Sequence, residues 1–118
     1  MATLKISILL ASGARIGPGK AALLESIRDT GSIAAAARDM GMDYKRAWSL
    51  LDSINQAFDS PVVSAAQGGA RGGGARLTAF GAELIGHYRR IEREALALAH
   101  DDLVAIAARA LPETGPKV

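Results

Sequence analysis

The chain has no cysteine, one tryptophan, two tyrosines, two phenylalanines and two histidines among its 118 residues. Without cysteine, neither a disulfide framework nor a thiolate metal site can form, which fits a cytoplasmic protein. No apolar run approaches the ~20 residues that a membrane span needs, so no membrane partner is expected. The opening residues, MATLKISILLASGA, place Lys5 ahead of a short apolar stretch in the manner of a signal peptide. That stretch is too short and is broken by Ser7, so a signal peptide is rejected. A large excess of one charge is missing too: the net charge is +2. Its distribution is uneven, however. Residues 1–50 carry seven Lys/Arg against four Asp/Glu, residues 51–82 two of each, and residues 83–118 five against six. The basic excess therefore lies in the first half.

Catalytic patterns are equally scarce. His87 and His100 share no spacing with a carboxylate or second histidine that suits a metal, and Asp101-Asp102 beside His100 read as an exposed helical segment. No serine or threonine stands in a nucleophile motif. The Gly19-Lys20-Ala21 segment invites comparison with a phosphate-binding loop, but Ala14 replaces the first glycine and Ala21 the magnesium-binding hydroxyl. We therefore expect no enzyme, no metal and no cofactor.

What is present centres on residues 32–58, SIAAAARDMGMDYKRAWSLLDSINQAF. Ile33, Ala36, Ala37 and Met40 recur on one face of a short helix. Gly41 supplies a corner, and Asp43 can cap a second helix. On that helix Ala47, Leu50, Leu51, Ile54 and Phe58 gather on one side. Lys45, Ser49, Asp52, Ser53 and Gln56 gather opposite, with Arg46 at the edge. Alanines at 36, 37 and 47 let two helices approach closely. The pattern describes either a helix-turn-helix or an ordinary αα-corner in a helical core.

Upstream, residues 4–10 alternate as a strand closed by Ser12-Gly13, and a loop from Arg15 leads to a helix over about residues 20–30, ended by Gly31. Downstream, Pro61 breaks the helix. Two short strands, over residues 62–66 and 75–77, then flank a glycine-rich loop whose charges are Arg71 and Arg76. Such a hairpin after a reading helix has the outline of a wing, and its arginines suit phosphate or minor-groove contact. A floppy hairpin tip with two solvated arginines is the alternative. Thr78 can cap a last helix over about residues 79–109. Leu84, Tyr88, Ile91, Ala95 and Leu98 follow the 4-3-4-3 spacing of a coiled-coil seam, which either packs on a second copy or folds back on the first helix and the N-terminal strand. Leu103 and Ile106 continue the apolar face after a shift at Asp101-Asp102, where the helix can break. Residues 1–111 thus form one domain and residues 112–118 a frayed tail.

The blocks GSIAAAARDMGMDYKRAW and GGARGGGARLTAFG, in this order and separation, resemble the N-terminal DNA-binding domain of the molybdate-responsive ModE family. The resemblance covers roughly residues 9–88. It implies a mainly α fold with a small β component: a winged helix-turn-helix of LysR type, with an N-terminal strand and a long C-terminal dimerisation helix. It also implies a homodimer that sets two reading helices in successive major grooves of double-stranded DNA. Family members continue into molybdate-binding β-barrels. No such domain is recognised here, so no direct molybdate binding is expected.

Recognition helices read bases from their first turns, which assigns Tyr44, Lys45, Arg46 and Ser49 to DNA. Either Arg46 or Lys45 can read a guanine edge. Trp48 is either a groove contact or a half-buried core anchor. Ser32 can hold a phosphate at a helix start, and Arg71 and Arg76 contact backbone or minor groove. Leu84, Tyr88, Ile91, Ala95 and Leu98 are assigned to dimerisation. The expected function is a sequence-specific, homodimeric transcriptional regulator. The alternative is an interaction module that forms mixed dimers with a full-length regulator and senses no effector of its own.

Overall fold

A computed structural model describes residues 2–66 and 74–113. The tip of the glycine-rich loop, with Arg71, lies outside the described residues, as do residues 114–118. The architecture is mainly helical with two small antiparallel strand pairs and a long C-terminal helix, as the sequence predicts.

Strand β1 (Ile8–Leu9) pairs with β2 (Arg15–Ile16) across a turn in which Gly13 has φ +95°. The strand expected over residues 4–10 is therefore much shorter, and its partner comes from the segment expected to be loop. Leu4 and Ile6 still alternate with exposed Lys5 and Ser7, half-buried without a ladder. Helix α1 (Pro18–Thr30) starts earlier than expected, because Pro18 has the helical φ built in and no N–H to satisfy at a first turn. It ends at Gly31, in the left-handed region at φ +70°, whose N–H donates to the Ile27 carbonyl at 2.8 Å.

Helix α2 (Ile33–Asp39) is capped by the Ser32 hydroxyl, which accepts from Ala35 N–H at 3.1 Å. Gly41, at φ +67°, turns the chain into α3 (Tyr44–Gln56). There Asp43 accepts from Arg46 N–H at 2.8 Å, a cap that contributes about 1 kcal/mol. Ala36, Ala37 and Ala47 are fully buried where the helices meet, so the small side chains set their close crossing. Around them Leu23, Leu24, Ile27, Leu51, Ile54 and Val62 form the core. Phe58, just past α3, packs edge-to-face on Phe80, with ring centroids 5.2 Å apart.

Strand β3 (Val63–Ala66) pairs with β4 (Gly74–Leu77), Val63 opposite Leu77 and Ala66 opposite Gly74. Thr78 joins this hairpin to the last helix, α4 (Ala79–Ala108). Its hydroxyl accepts from Gly81 N–H at 2.9 Å and donates to the Pro61 carbonyl at 2.7 Å. Gly81 lies so close to the Val62 carbonyl that a Cβ would collide with it.

Helix α4 is continuous through Asp101-Asp102, because both carboxylates stand on its exposed side and leave the backbone ladder intact. Thirty residues rise about 45 Å, longer than the small body they pack on. Only its first turns are buried, through Gly81, Ile85 and Tyr88. The radius of gyration is accordingly 17.4 Å, against about 13.5 Å for a compact chain of this length. Among the described residues no helix is long and apolar enough to cross a membrane.

Candidate nucleic-acid interface

Helix α3 divides its residues among three surroundings. Ala47, Leu51 and Ile54 seat it in the core. Lys45, Ser49, Asp52 and Gln56 stand outward and exposed, spaced by one turn. Tyr44 and Trp48 occupy the flank that faces the β3–β4 hairpin, 52% and 47% exposed. Their rings meet edge-to-face with centroids 6.4 Å apart. Trp48 is therefore neither fully buried nor fully free, which answers the two sequence readings with a position at the rim of the core.

The cations of the first turn are available to a partner. Among the described residues no ion pair involves Lys45, Arg46 or Arg76, and all three side chains are exposed. Arg46 gives only its backbone N–H to the Asp43 cap. Arg76 stands on β4 opposite Ser64. The outward face is not uniformly basic, for Asp52 lies on it and accepts from the Gln56 amide at 2.9 Å. Ser49, Asp52 and Gln56 also line an open polar groove against the β1–β2 turn at Ser12 and Gly13.

Ser32 has work within the fold. Its hydroxyl caps α2 by accepting from Ala35 N–H at 3.1 Å, and its own N–H donates to the Thr30 hydroxyl at 3.3 Å.

Asn55 is the residue that sequence reasoning missed. Its carboxamide oxygen accepts from Val62 N–H at 2.8 Å and Val63 N–H at 3.1 Å, and its amide donates to the Val63 carbonyl at 3.1 Å. These bonds fasten the start of the hairpin to α3. The available signal was a poor helix former amid the apolar side of a helix.

The five residues assigned to dimerisation separate into two groups. Leu84 and Tyr88 pack inside the protomer, and Tyr88 is buried with its hydroxyl donating to the Ile6 carbonyl at 2.6 Å. Tyr88 is thereby corrected from an interface residue to a core anchor that holds the N-terminal segment. Burial pushes its phenol pKa up. Beside it, Arg89 makes a forked pair with Glu25 at 2.7 and 3.1 Å and a second pair with Glu92, locking α4 to α1. The Arg89 guanidinium holds the Glu25 carboxyl below the usual carboxylate range. Ile91, Ala95 and Leu98 lie beyond the core, and Leu98 is 88% exposed on the side opposite Ile85. The core-facing side of α4 instead emerges as Leu96 and Leu103, which follow Ile85 by whole turns. With Val104, Ala107 and Ala2 they line a shallow, mainly apolar groove of about 440 Å³.

Comparison with known proteins bears on what this arrangement serves. The chain is 49% identical over 85 residues to the molybdenum-pterin-binding protein MopB of Rhodobacter capsulatus, covering 72% of this chain and 32% of that protein. It is 39% identical over 88 residues to the DNA-binding transcriptional dual regulator ModE of Escherichia coli K12, covering 72% of this chain and 34% of the regulator. Over its matched region the chain is thus similar to both ModE and MopB. It is also 37% identical over 82 residues to the molybdenum transport protein ModE of Azotobacter vinelandii, covering 70% of this chain and 30% of that protein. The matched region spans about a third of the length of these relatives. No protein-family model matches the chain. These relatives are named as a molybdenum-pterin-binding protein, a molybdenum transport protein and a DNA-binding transcriptional regulator.

Proposed function

We propose that this chain binds double-stranded DNA as a homodimeric, sequence-specific transcriptional regulator of the winged helix-turn-helix, LysR-like type. The observation that carries it is the start of α3. Two exposed cations, Lys45 and Arg46, which make no ion pair among the described residues, project from the second helix of a tight helix–turn–helix, with an arginine-bearing hairpin fastened beside it. The ModE relative of E. coli is named a DNA-binding transcriptional regulator, which supports the same conclusion.

In this scheme α3 enters the major groove by its first turns. Arg46 or Lys45 bonds a guanine edge, Tyr44 and Ser49 contact the same groove, and Arg76, with Arg71, meets the backbone or minor groove. Ser32 contributes by capping α2 and holding the motif in shape. Two copies join through the apolar side of α4 beyond the core, centred on Leu96 and Leu103 with Ile91, Ala95 and Leu98 around the helix. Molybdenum and pterin binding, named for relatives of which the match covers a third, play no part in this scheme.

Footprinting on genomic fragments tests it. A protected, twofold-related pair of half-sites about one helical turn apart is expected. Arg46→Ala should weaken specific binding by about 1–3 kcal/mol and relax base choice at one position. An equal loss on random DNA would make Arg46 a phosphate contact. No bound fragment even at low salt would refute DNA binding. Self-association or pairing with a full-length regulator in that case would favour the interaction module.

A further inference from the structure

The molecule has few aromatic side chains and uses most of them internally. Tyr88 is buried, and Phe58 and Phe80 pack on each other against the core. Tyr44 and Trp48 are the exception, two large rings about half exposed and touching edge-to-face on one turn of α3. An exposed aromatic pair beside the cations of a polar helix is out of place on a surface that meets only water. The rings form one wall of a cleft of about 290 Å³ between α3 and the β3–β4 hairpin. Leu51 and Asn55 floor it, and Ala65 and Gly74 stand across from them. Among the described residues none that lines the cleft is charged, while Lys45 and Arg46 stand exposed on the adjoining first turn of α3.

An apolar surface beside two exposed cations fits a ligand that is anionic overall and apolar at one point. Duplex DNA presents one such point on its major-groove base edges, the 5-methyl group of thymine, which is the one methyl among the donors and acceptors displayed there. We propose that Tyr44 and Trp48 form an apolar step that reads a thymine methyl, so that the preferred sites of this protein carry thymine beside the positions read by Lys45 and Arg46. The inference rests on the DNA-binding function proposed above. It adds a residue-level source of specificity that requires no hydrogen bond. Asn55 serves it as a positioning residue, because its bonds to Val62 and Val63 fix the width of the cleft.

Replacing thymine by deoxyuridine removes the methyl and leaves base pairing and the hydrogen-bonding edge unchanged, so the test begins with the unaltered full chain. A duplex selected from a random pool is substituted one thymine at a time, and affinity is measured by fluorescence anisotropy at fixed salt. One or two positions in each half-site should lose about fourfold on substitution, the value of one buried methyl. Trp48→Ala should bind thymine and deoxyuridine duplexes equally, with Tyr44→Ala reducing the difference and Trp48→Phe retaining part of it. Because Trp48 is the sole tryptophan, its emission should also shift to the blue on binding. Tight binding that is indifferent to deoxyuridine at every position overturns the inference and leaves the DNA-binding function intact. A methyl preference that survives in both alanine variants overturns it as well. Failure to select any duplex refutes both.

Discussion

Asn55 offers the most direct test of how the hairpin is held to α3. Replacing it with alanine removes three hydrogen bonds to residues 62 and 63. Val62 is wholly buried and Val63 nearly so, so water cannot readily take the vacated place. A buried donor left without an acceptor costs about 1–3 kcal/mol. Two amides lose their partner here, but they share one oxygen, so the combined cost is about 2–4 kcal/mol rather than twice the upper value. Alanine is the better helix former by about 0.6 kcal/mol, which offsets part of this. The net loss should be about 1.5–3.5 kcal/mol, moving the urea midpoint down by about 1–2 M for a chain of this size. Hydrogen exchange supplies the local readout, since the amides of Val62 and Val63 should lose protection beyond the global change. Asn55→Asp keeps the two accepted bonds and sets a carboxylate against the Val63 carbonyl, so it should fall between wild type and alanine. A loss below about 0.5 kcal/mol, the range of an ordinary surface substitution, would show that the carboxamide does not hold the hairpin.

Three further outcomes are expected. Gly81→Ala drives a methyl into the Val62 carbonyl, which is backbone and cannot swing aside, so thermal melting should report a loss of about 1–3 kcal/mol; an unchanged melt would mean that α4 slides freely on the hairpin. The Glu25–Arg89 fork is about three-quarters shielded from solvent and should show a coupling of about 1–2 kcal/mol in a double-mutant cycle at neutral pH. Because Arg89 depresses the Glu25 pKa, that contribution is complete above the unfolded carboxyl value of about 4.3 and disappears as pH falls through the lower folded value. Glu25→Gln should flatten this part of the acid profile, and an unaltered profile would assign the acid sensitivity elsewhere. Finally, Leu103→Asp on the emergent side of α4 should yield a folded monomer by sedimentation, whereas persistence of the dimer would move the interface away from this groove.

The parts of the fold most legible in the sequence are those whose causes lie within one or two helical turns. Ser32, Gly41 and Asp43 state the caps and corner of α2 and α3 directly, and the alanines state how closely the helices pass. The hairpin was legible too, because Pro61 and the glycines bound its strands. Contacts made over long separations were not. The bonds from Asn55 exist only after the hairpin has folded against α3, and the Tyr88 hydroxyl reaches a carbonyl 82 residues away. The α4 stripe divides for a geometric reason. The core lies to one side of the predicted stripe, towards Ile85 and Tyr88: Leu96 and Leu103 return beneath Ile85 after whole turns, while Leu98 stands roughly 80° around the helix from Tyr88 and further still from Ile85. Among the candidate site residues, Lys45, Arg46 and Ser49 were placed outward correctly, because their position depends only on helical phase. Trp48 was left between groove contact and half-buried anchor, because its setting at the rim depends on the hairpin opposite as well as on helical phase.

The side chains that seat α3 and those that it displays occupy different positions, with no residue belonging to both sets. Ala47, Leu51 and Ile54 are therefore constrained by volume, while Lys45, Ser49, Asp52 and Gln56 are constrained only by what they touch outside. Exchanging the outer four as a block leaves the seat undisturbed. A lineage built on this plan can acquire new preferences one displayed residue at a time, and an engineer can graft a foreign set onto the same frame without repacking it.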